Sequence, residues 1–241
     1  MREKKPTIFA LSTPPGKSAI AIIRISGRNS YACINAISSN MPKKANTSIF
    51  NEIKTEEGET LDQSITTFFK EPKSFTGEDM VEVAVHGGPA IIKKILSMLS
   101  KTSGLKLAFP GEFTRRAFEN NKLNLTQVEA IADIVSAETE MQRKQAISHL
   151  SGHFFKLTKN IFENIKKILA NIEAMIDFSE EDLSDSLLLD TKEQIENNIE
   201  KIHRILKKRS SGISIREGFL VAILGKTNAG KSSFINNVSG R

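Results

Sequence analysis

Gly225, Gly230, Lys231 and Ser232 fit the pattern G-x-x-x-x-G-K-[ST], which constrains the fold more tightly than any other stretch of the 241 residues. The pattern needs a short apolar strand before the loop and a helix after it, and "FLVAIL" and "SSFINNV" stand in those places. Glycines let such a loop turn so that successive backbone N–H groups face a phosphate. The helix N-terminus adds a partial positive charge, and Lys231 adds a full one. Ser232 would offer its hydroxyl oxygen to Mg²⁺. Hydrolysis asks for more: an acidic Mg²⁺ ligand from a second strand, a residue that orients water, and loops that sense the terminal phosphate. The residues after Ser232 are too few to supply these. The choice between guanine and adenine also rests on segments beyond the loop. The pattern therefore predicts the opening of an α/β domain whose first strand lacks sheet neighbours and exposes unpaired edges.

Upstream, residues 7 to 123 alternate two periodicities. "SAIAIIRIS" and "MVEVAVH" alternate every second residue as strands do, whereas "GPAIIKKILSMLSK" spaces Ile91, Ile95, Leu96 and Leu99 as a helix. "STPPGKS", "MPKKANTS" and "TEEGETLD" read as the loops between them. From about Leu123 the strand signal ends, and Thr126 and Glu129 stand at capping-box spacing at the head of a helical region. Past a break at Gly152, Leu157, Ile161, Ile165, Leu169, Ile172 and Ile176 form one apolar stripe suited to a bundle, and Ile195, Ile199, Ile202 and Leu206 repeat it. The acidic "DFSEEDLSDS" between these helices reads as solvated caps, and "KKRSSGISIREG" as a linker. The expected architecture is an α+β N-terminal domain, then an α-helical bundle region, then the first strand, loop and helix of a P-loop α/β GTPase domain.

Composition excludes some classes and leaves others. With 39% hydrophobic and 26% charged residues the chain suits a globular protein, and its longest apolar runs are far too short to cross a bilayer. The basic N-terminus carries only "IFAL" before Pro14 and Pro15, too short for a secretory segment, so the expected location is cytoplasmic. Cys33 is the only cysteine, which rules out an internal disulfide, and it reads as a packed apolar thiol in an early helix. The net charge of +6 permits an RNA or phosphate partner, although the cations are scattered among acids.

In order along the chain, "STPPGKSAIAIIRISG", "PKSFTGEDMVEVAVHGGPAIIKKIL", "FPGEFTRRAFENNKLNLTQVEAIADIVSAETE", "DFSEED" and "GKTNAGKSS" resemble the MnmE (TrmE) family of tRNA-modification GTPases, from about Ile8 to Arg241. The resemblance implies an N-terminal tetrahydrofolate-binding and dimerisation domain over 1–123. It implies the first part of a helical domain over 124–215 and the start of a Ras-like G domain over 216–241. In that family the G domain is inserted within the helical one, so this chain resembles roughly the first half. The implied activity is GTP hydrolysis, stimulated by K⁺ and by dimerisation of the G domains. It serves tRNA wobble-uridine modification with the flavoprotein MnmG (GidA) and a one-carbon folate, 5-formyl- or 5,10-methylene-tetrahydrofolate.

Carried over residue by residue, the resemblance assigns Asn228, Ala229, Gly230, Lys231, Ser232 and Ser233 to GTP or GDP. Asn228 also becomes the K⁺ ligand and Ser232 the Mg²⁺ ligand, while Arg24, Glu82 and Lys122 become the folate residues. A carboxylate such as Glu82 can accept from the N–H groups of a pterin, and either cation could pair with the glutamate tail. The alternative for these 241 residues is a folate-binding dimerisation module without GTPase activity. Phe109 departs from the family, whose members often carry Arg before the "PGEFT" motif. The family's C-terminal cysteine motif is another matter, and Cys33 is not its equivalent. His149 and His153 lack the Glu that a zinc-protease pair requires. His86, before Gly87 and Gly88, reads as a structural turn rather than a catalytic base.

Overall fold

The computed structural model describes residues 5–177, 185–207, 209–218 and 221–239. The chain forms two compact units, Met1–Val128 and Glu129–Arg241. The first is built on a six-stranded sheet. Its strands are β1 (Thr7–Leu11), β2 (Ser18–Ser26), β3 (Thr47–Lys54), β4 (Thr60–Phe69), β5 (Met80–Gly87) and β6 (Leu105–Leu107), in the order β3-β4-β5-β2-β1-β6. All pairings are antiparallel except β1 with β6, which is parallel and reached through the helix α2 (Pro89–Lys101).

The alternation in the sequence sets the two faces of this sheet. On β2, Ala21, Ile23 and Ile25 are buried, as are Val81, Val83 and Val85 on β5. They join Ile92, Ile95 and Leu99 of α2 and Cys33 and Ile34 of α1 (Ser30–Asn35) in one core. Each fully buried aliphatic side chain there contributes roughly 1.5–3 kcal/mol relative to exposure. Of the expected helix stripe, Ile95 and Leu99 lie in the core, and Ile91 and Leu96 pack partly against it. The opposite face carries Arg24 on β2 and Glu82 on β5, which the register pairs directly. A slip of one residue would turn both into the core, so burial of the isoleucines and valines fixes the polar pair.

After β6, α3 (Glu112–Glu119) starts at Gly111 in the left-handed conformation, φ 77°. Helix α4 (Leu125–Ser136) follows, and its head differs from the expected box. Asn124 Oδ1 accepts from Gln127 N at 3.0 Å and Gln127 Oε1 accepts from Asn124 N at 3.0 Å, so Asn124 and Gln127, not Thr126 and Glu129, exchange the reciprocal bonds. Asn caps as well as Thr, and the helix begins two residues earlier than the Thr126 box would place it.

The second unit holds α5 (Glu140–Leu150), α6 (His153–Asp177), α7 (Asp185–Lys207), α8 (Arg209–Glu217) and α9 (Lys231–Val238). A capping box of Thr139 and Gln142 separates α5 from α4, which the sequence reading ran together. Gly152, at φ 79°, marks the break before α6. The stretch read as a linker is instead largely helical, as α8. Gln145 donates to Gly212 O at 3.2 Å, Gln142 to Arg216 O at 3.3 Å, and Arg216 pairs with Asp133 at 2.9 Å. Tertiary contacts thus outweigh the serine and glycine signals there.

The apolar stripes are covered only in part. Helices α6 and α7 pack on each other, yet Leu157, Ile165, Leu169, Ile176, Ile195, Ile199, Ile202 and Leu206 each remain at least 37% exposed. Ile168 is the stripe-side residue that α6 buries, and α7 buries Thr191 and Asn198. Two helices can cover only one line of each other's surface; a full stripe takes further helices.

"FLVAIL" was expected as a strand. Phe219 and Leu220 lie outside the described residues, and 221–226 form no strand; Val221 and Leu224 are 75% and 91% exposed. Without a neighbouring strand there is no ladder to hold one. Residues 178–184 of the acidic connection also lie outside the described residues. No described helix is long and apolar enough to cross a membrane.

Candidate functional site

Two places carry the sequence-predicted residues, one in each unit. The first is the polar pair on the open sheet face. Arg24 Nε donates to Glu82 Oε1 at 2.8 Å, and Nη2 lies 2.7 Å from the same oxygen. Both side chains keep about a quarter of their exposure, 26% and 23%, so the pair is partly desolvated rather than a surface bridge. The Arg24 guanidinium also lies over two aromatic rings, 5.3 Å from the centroid of Phe75 and 5.6 Å from that of Phe113. Each such contact is worth about 0.5–1 kcal/mol. Arg24 occupies Oε1, which leaves Oε2 as an acceptor beside two aromatic faces. A flat ring rich in N–H donors is what such a donor set fits.

Lys122 is placed differently. Its Nζ donates to Pro72 O at 2.9 Å, in the loop that carries Phe75, and not to Glu82. The structure thus brings Arg24 and Glu82 together and sets Lys122 on the neighbouring loop.

Sequence reasoning missed the support beneath this loop. Arg116 is 3% exposed, and its Nη1 donates to Glu78 Oε2 at 3.0 Å while Nη2 donates to Pro6 O at 2.8 Å and Glu112 Oε1 at 3.2 Å. Glu78 also accepts from Ser26 Oγ at 2.8 Å, and Ser26 shares a 2.7 Å bond with Thr76. The available signal was the "GEFTRRAF" stretch, which holds both Phe113 and Arg116.

Gly87 permits the close approach of β2 to the end of β5: a Cβ there would stand 2.4 Å from Ser18 O. Beside it, Asp62 accepts from both the backbone N–H and Nδ1 of His86, each at 2.8 Å. Cys33 is buried, and burial pushes its thiol up to about 12, against 9.0 for an ordinary thiol.

The second place is the loop 225–232. Asn228 and Gly230 both take the left-handed conformation, at φ 61° and 81°. Gly230 precedes α9, whose N-terminus begins with Lys231, Ser232 and Ser233. Lys231 Nζ donates to Gly225 O at 2.7 Å and Lys226 O at 2.6 Å, so the ammonium is folded back across the loop. Asn228, Ala229, Gly230, Ser232 and Ser233 are exposed. The first-turn N–H groups of a helix have no intrahelical acceptor, so the donors and the lysine converge on one side of the turn and suit phosphate oxygens. Ser232 offers one hydroxyl oxygen and Asn228 one amide oxygen to a cation, the remaining ligands being of the kind that phosphate and water supply.

A mixed-sheet unit, a helical unit and a phosphate loop, in that order, define a P-loop protein with an N-terminal accessory domain. Residues 7–122 match the family model described as the GTP-binding protein TrmE N-terminus, and residues 125–228 match the MnmE helical domain. The chain is 43% identical over 236 residues to the tRNA modification GTPase MnmE of Pelagibacter ubique, covering 98% of this chain and 53% of that protein. The corresponding protein of Dinoroseobacter shibae is 40% identical over 239 residues, 98% of this chain and 54% of its own. A zebrafish (Danio rerio) relative, the mitochondrial 5-taurinomethyluridine-[tRNA] synthase subunit GTPB3, is 38% identical over 98% of this chain and 47% of its own. The chain spans about half the length of the curated relatives it matches. It belongs to the MnmE (TrmE) family.

Proposed function

We propose that this protein is a GTP-binding and GTP-hydrolysing protein of tRNA wobble-uridine modification, acting with MnmG (GidA) and a one-carbon tetrahydrofolate. The reading takes 1–123 as the folate-binding and dimerising part, 124–215 as the helical part and 216–241 as the start of the G domain. It places the protein in the cytoplasm. The observation that carries it is the folded-back Lys231 at the head of α9, beneath two left-handed loop residues. On nucleotide arrival the ammonium exchanges two carbonyl partners for phosphate oxygens, while the N–H groups of 228–233 take up the remaining charge. Ser232 would hold Mg²⁺ and Asn228 K⁺, cations that supply charge neutralisation to the phosphates. The test is titration with a fluorescent GDP analogue in Mg²⁺ and K⁺: saturable binding lost in Lys231→Ala supports the reading, and equal binding by both proteins overturns it.

A second reading, a folate-binding dimerisation module without GTP turnover, is favoured for these 241 residues by the Arg24–Glu82 pair beside Phe75 and Phe113. Glu82 would accept from the pterin, and Arg24 and Lys122 would complete the folate site, where the ligand would supply a one-carbon unit. Calorimetric titration with 5-formyltetrahydrofolate beside Arg24→Ala tests this. Hydrolysis of GTP by the 241-residue chain, stimulated by K⁺, would overturn the claim of inactivity.

A further inference from the structure

One loop and one helix decide where the Arg24 guanidinium can sit. The loop 72–78 brings Phe75 to it, and α3 brings Phe113. The same helix and its exit turn hold the loop at three points. Arg116 binds Glu78, Asn120 Nδ2 donates to Thr76 O at 2.7 Å, and Lys122 Nζ donates to Pro72 O at 2.9 Å. Gly77 makes room for this: at φ 78°, a Cβ there would stand 3.0 Å from Lys122 Cγ and 3.3 Å from Asn120 Cβ. The lysine stem therefore lies across the loop, and its ammonium is spent on a loop carbonyl.

We propose that Asn120 and Lys122 are positioning residues of the Arg24–Glu82 site. They clamp the 72–77 loop so that the Phe75 ring stays against the Arg24 guanidinium, and Lys122 acts through that loop rather than by pairing with the ligand. The assignment rests on the reading of this site as a folate site and changes what Lys122 does within it. The guanidinium has a fixed partner on one side, Glu82, and the loop supplies a ring that limits its remaining freedom. Releasing the loop frees Phe75 and exposes the pair to water, which weakens any ligand that uses Glu82.

The chain has no tryptophan, so Phe75→Trp makes a single reporter of the clamp that needs no ligand. Adding Asn120→Ala and Lys122→Met to Phe75→Trp is expected to shift its emission to the red and raise acrylamide quenching by about twofold, as for a ring that has gained solvent access. An unchanged spectrum overturns the clamp. The second arm titrates 5-formyltetrahydrofolate and 6-methyltetrahydropterin, which keeps the ring and lacks the glutamate tail. The clamp predicts that Asn120→Ala with Lys122→Met weakens both ligands by the same factor, about three- to tenfold, and adds nothing further in a Phe75→Ala background. A loss confined to the ligand with a tail would make Lys122 a direct partner of the tail carboxylate and overturn the proposal. If the unaltered chain binds neither ligand, the folate reading fails, while the reporter still decides whether the clamp exists.

Discussion

The Arg24 site and the phosphate loop are held in opposite ways. Arg24 and Glu82 project from adjacent strands of a sheet whose other face is fully buried, and a helix, a loop and a buried arginine brace them from outside. The phosphate loop is held by its own carbonyls on Lys231, and Val221 and Leu224 before it are exposed. A preorganised site owes its geometry to distant burial, whereas the loop owes it to local backbone conformation and one charged side chain. The same contrast separates the two units: Ile23, Ile25 and Ile95 are at most 1% exposed, but Leu169 of α6 is 53% exposed.

If that contrast holds, the largest effect falls on the braces. Arg116→Met leaves the Glu78 carboxylate without its buried partner and is expected to cost about 3–5 kcal/mol by urea unfolding. A core truncation sharpens the comparison: Ile25→Ala should cost about 2–5 kcal/mol, and the equivalent Leu169→Ala less than about 1 kcal/mol, since it removes area that is already wet. Equal costs would show that the stripe on α6 is covered in solution. At the loop, Lys231→Ala should weaken a fluorescent GDP analogue by about tenfold or more while leaving the melting temperature unmoved, because its two acceptors are exposed carbonyls that water can satisfy.

Smaller effects follow at the helix heads and at the thiol. Thr139→Ala removes one half of a capping box and should lower stability by about 1 kcal/mol, read as a shift in helical melting by circular dichroism. Cys33 should resist alkylation in the folded chain and react once urea is added. Its folded value is raised, to about 12 from 9.0, so the protonated thiol's contribution is complete below about pH 9 and is lost as the pH rises toward 12. Stability should therefore fall by less than about 1 kcal/mol at pH 9.5 relative to Cys33→Ser, which carries no titrating thiol.

The sheet was legible because its strands alternate cleanly: β2 falls on the quoted "SAIAIIRIS", and β5 runs one residue past "MVEVAVH". The partners of the site were less so. Nothing in the spacing of Phe75 and Phe113 indicates that both rings meet one guanidinium, because they come from a loop and a helix far apart in the sequence. Helix α8 was hidden under turn-forming residues, and its bonds to Gln142 and Gln145 exist only once α5 is in place.

By itself the sequence determined which residues face which way: period-two alternation assigns Arg24 and Glu82 to one sheet face, and glycine spacing assigns the turn that aims Lys231. Both are local consequences of backbone geometry. Tertiary structure alone decided that Arg24 pairs with Glu82, that Lys122 spans to Pro72, and that the apolar stripe of α6 stays largely uncovered. Pairing and burial depend on which distant segments meet, and periodicity carries no record of the partner.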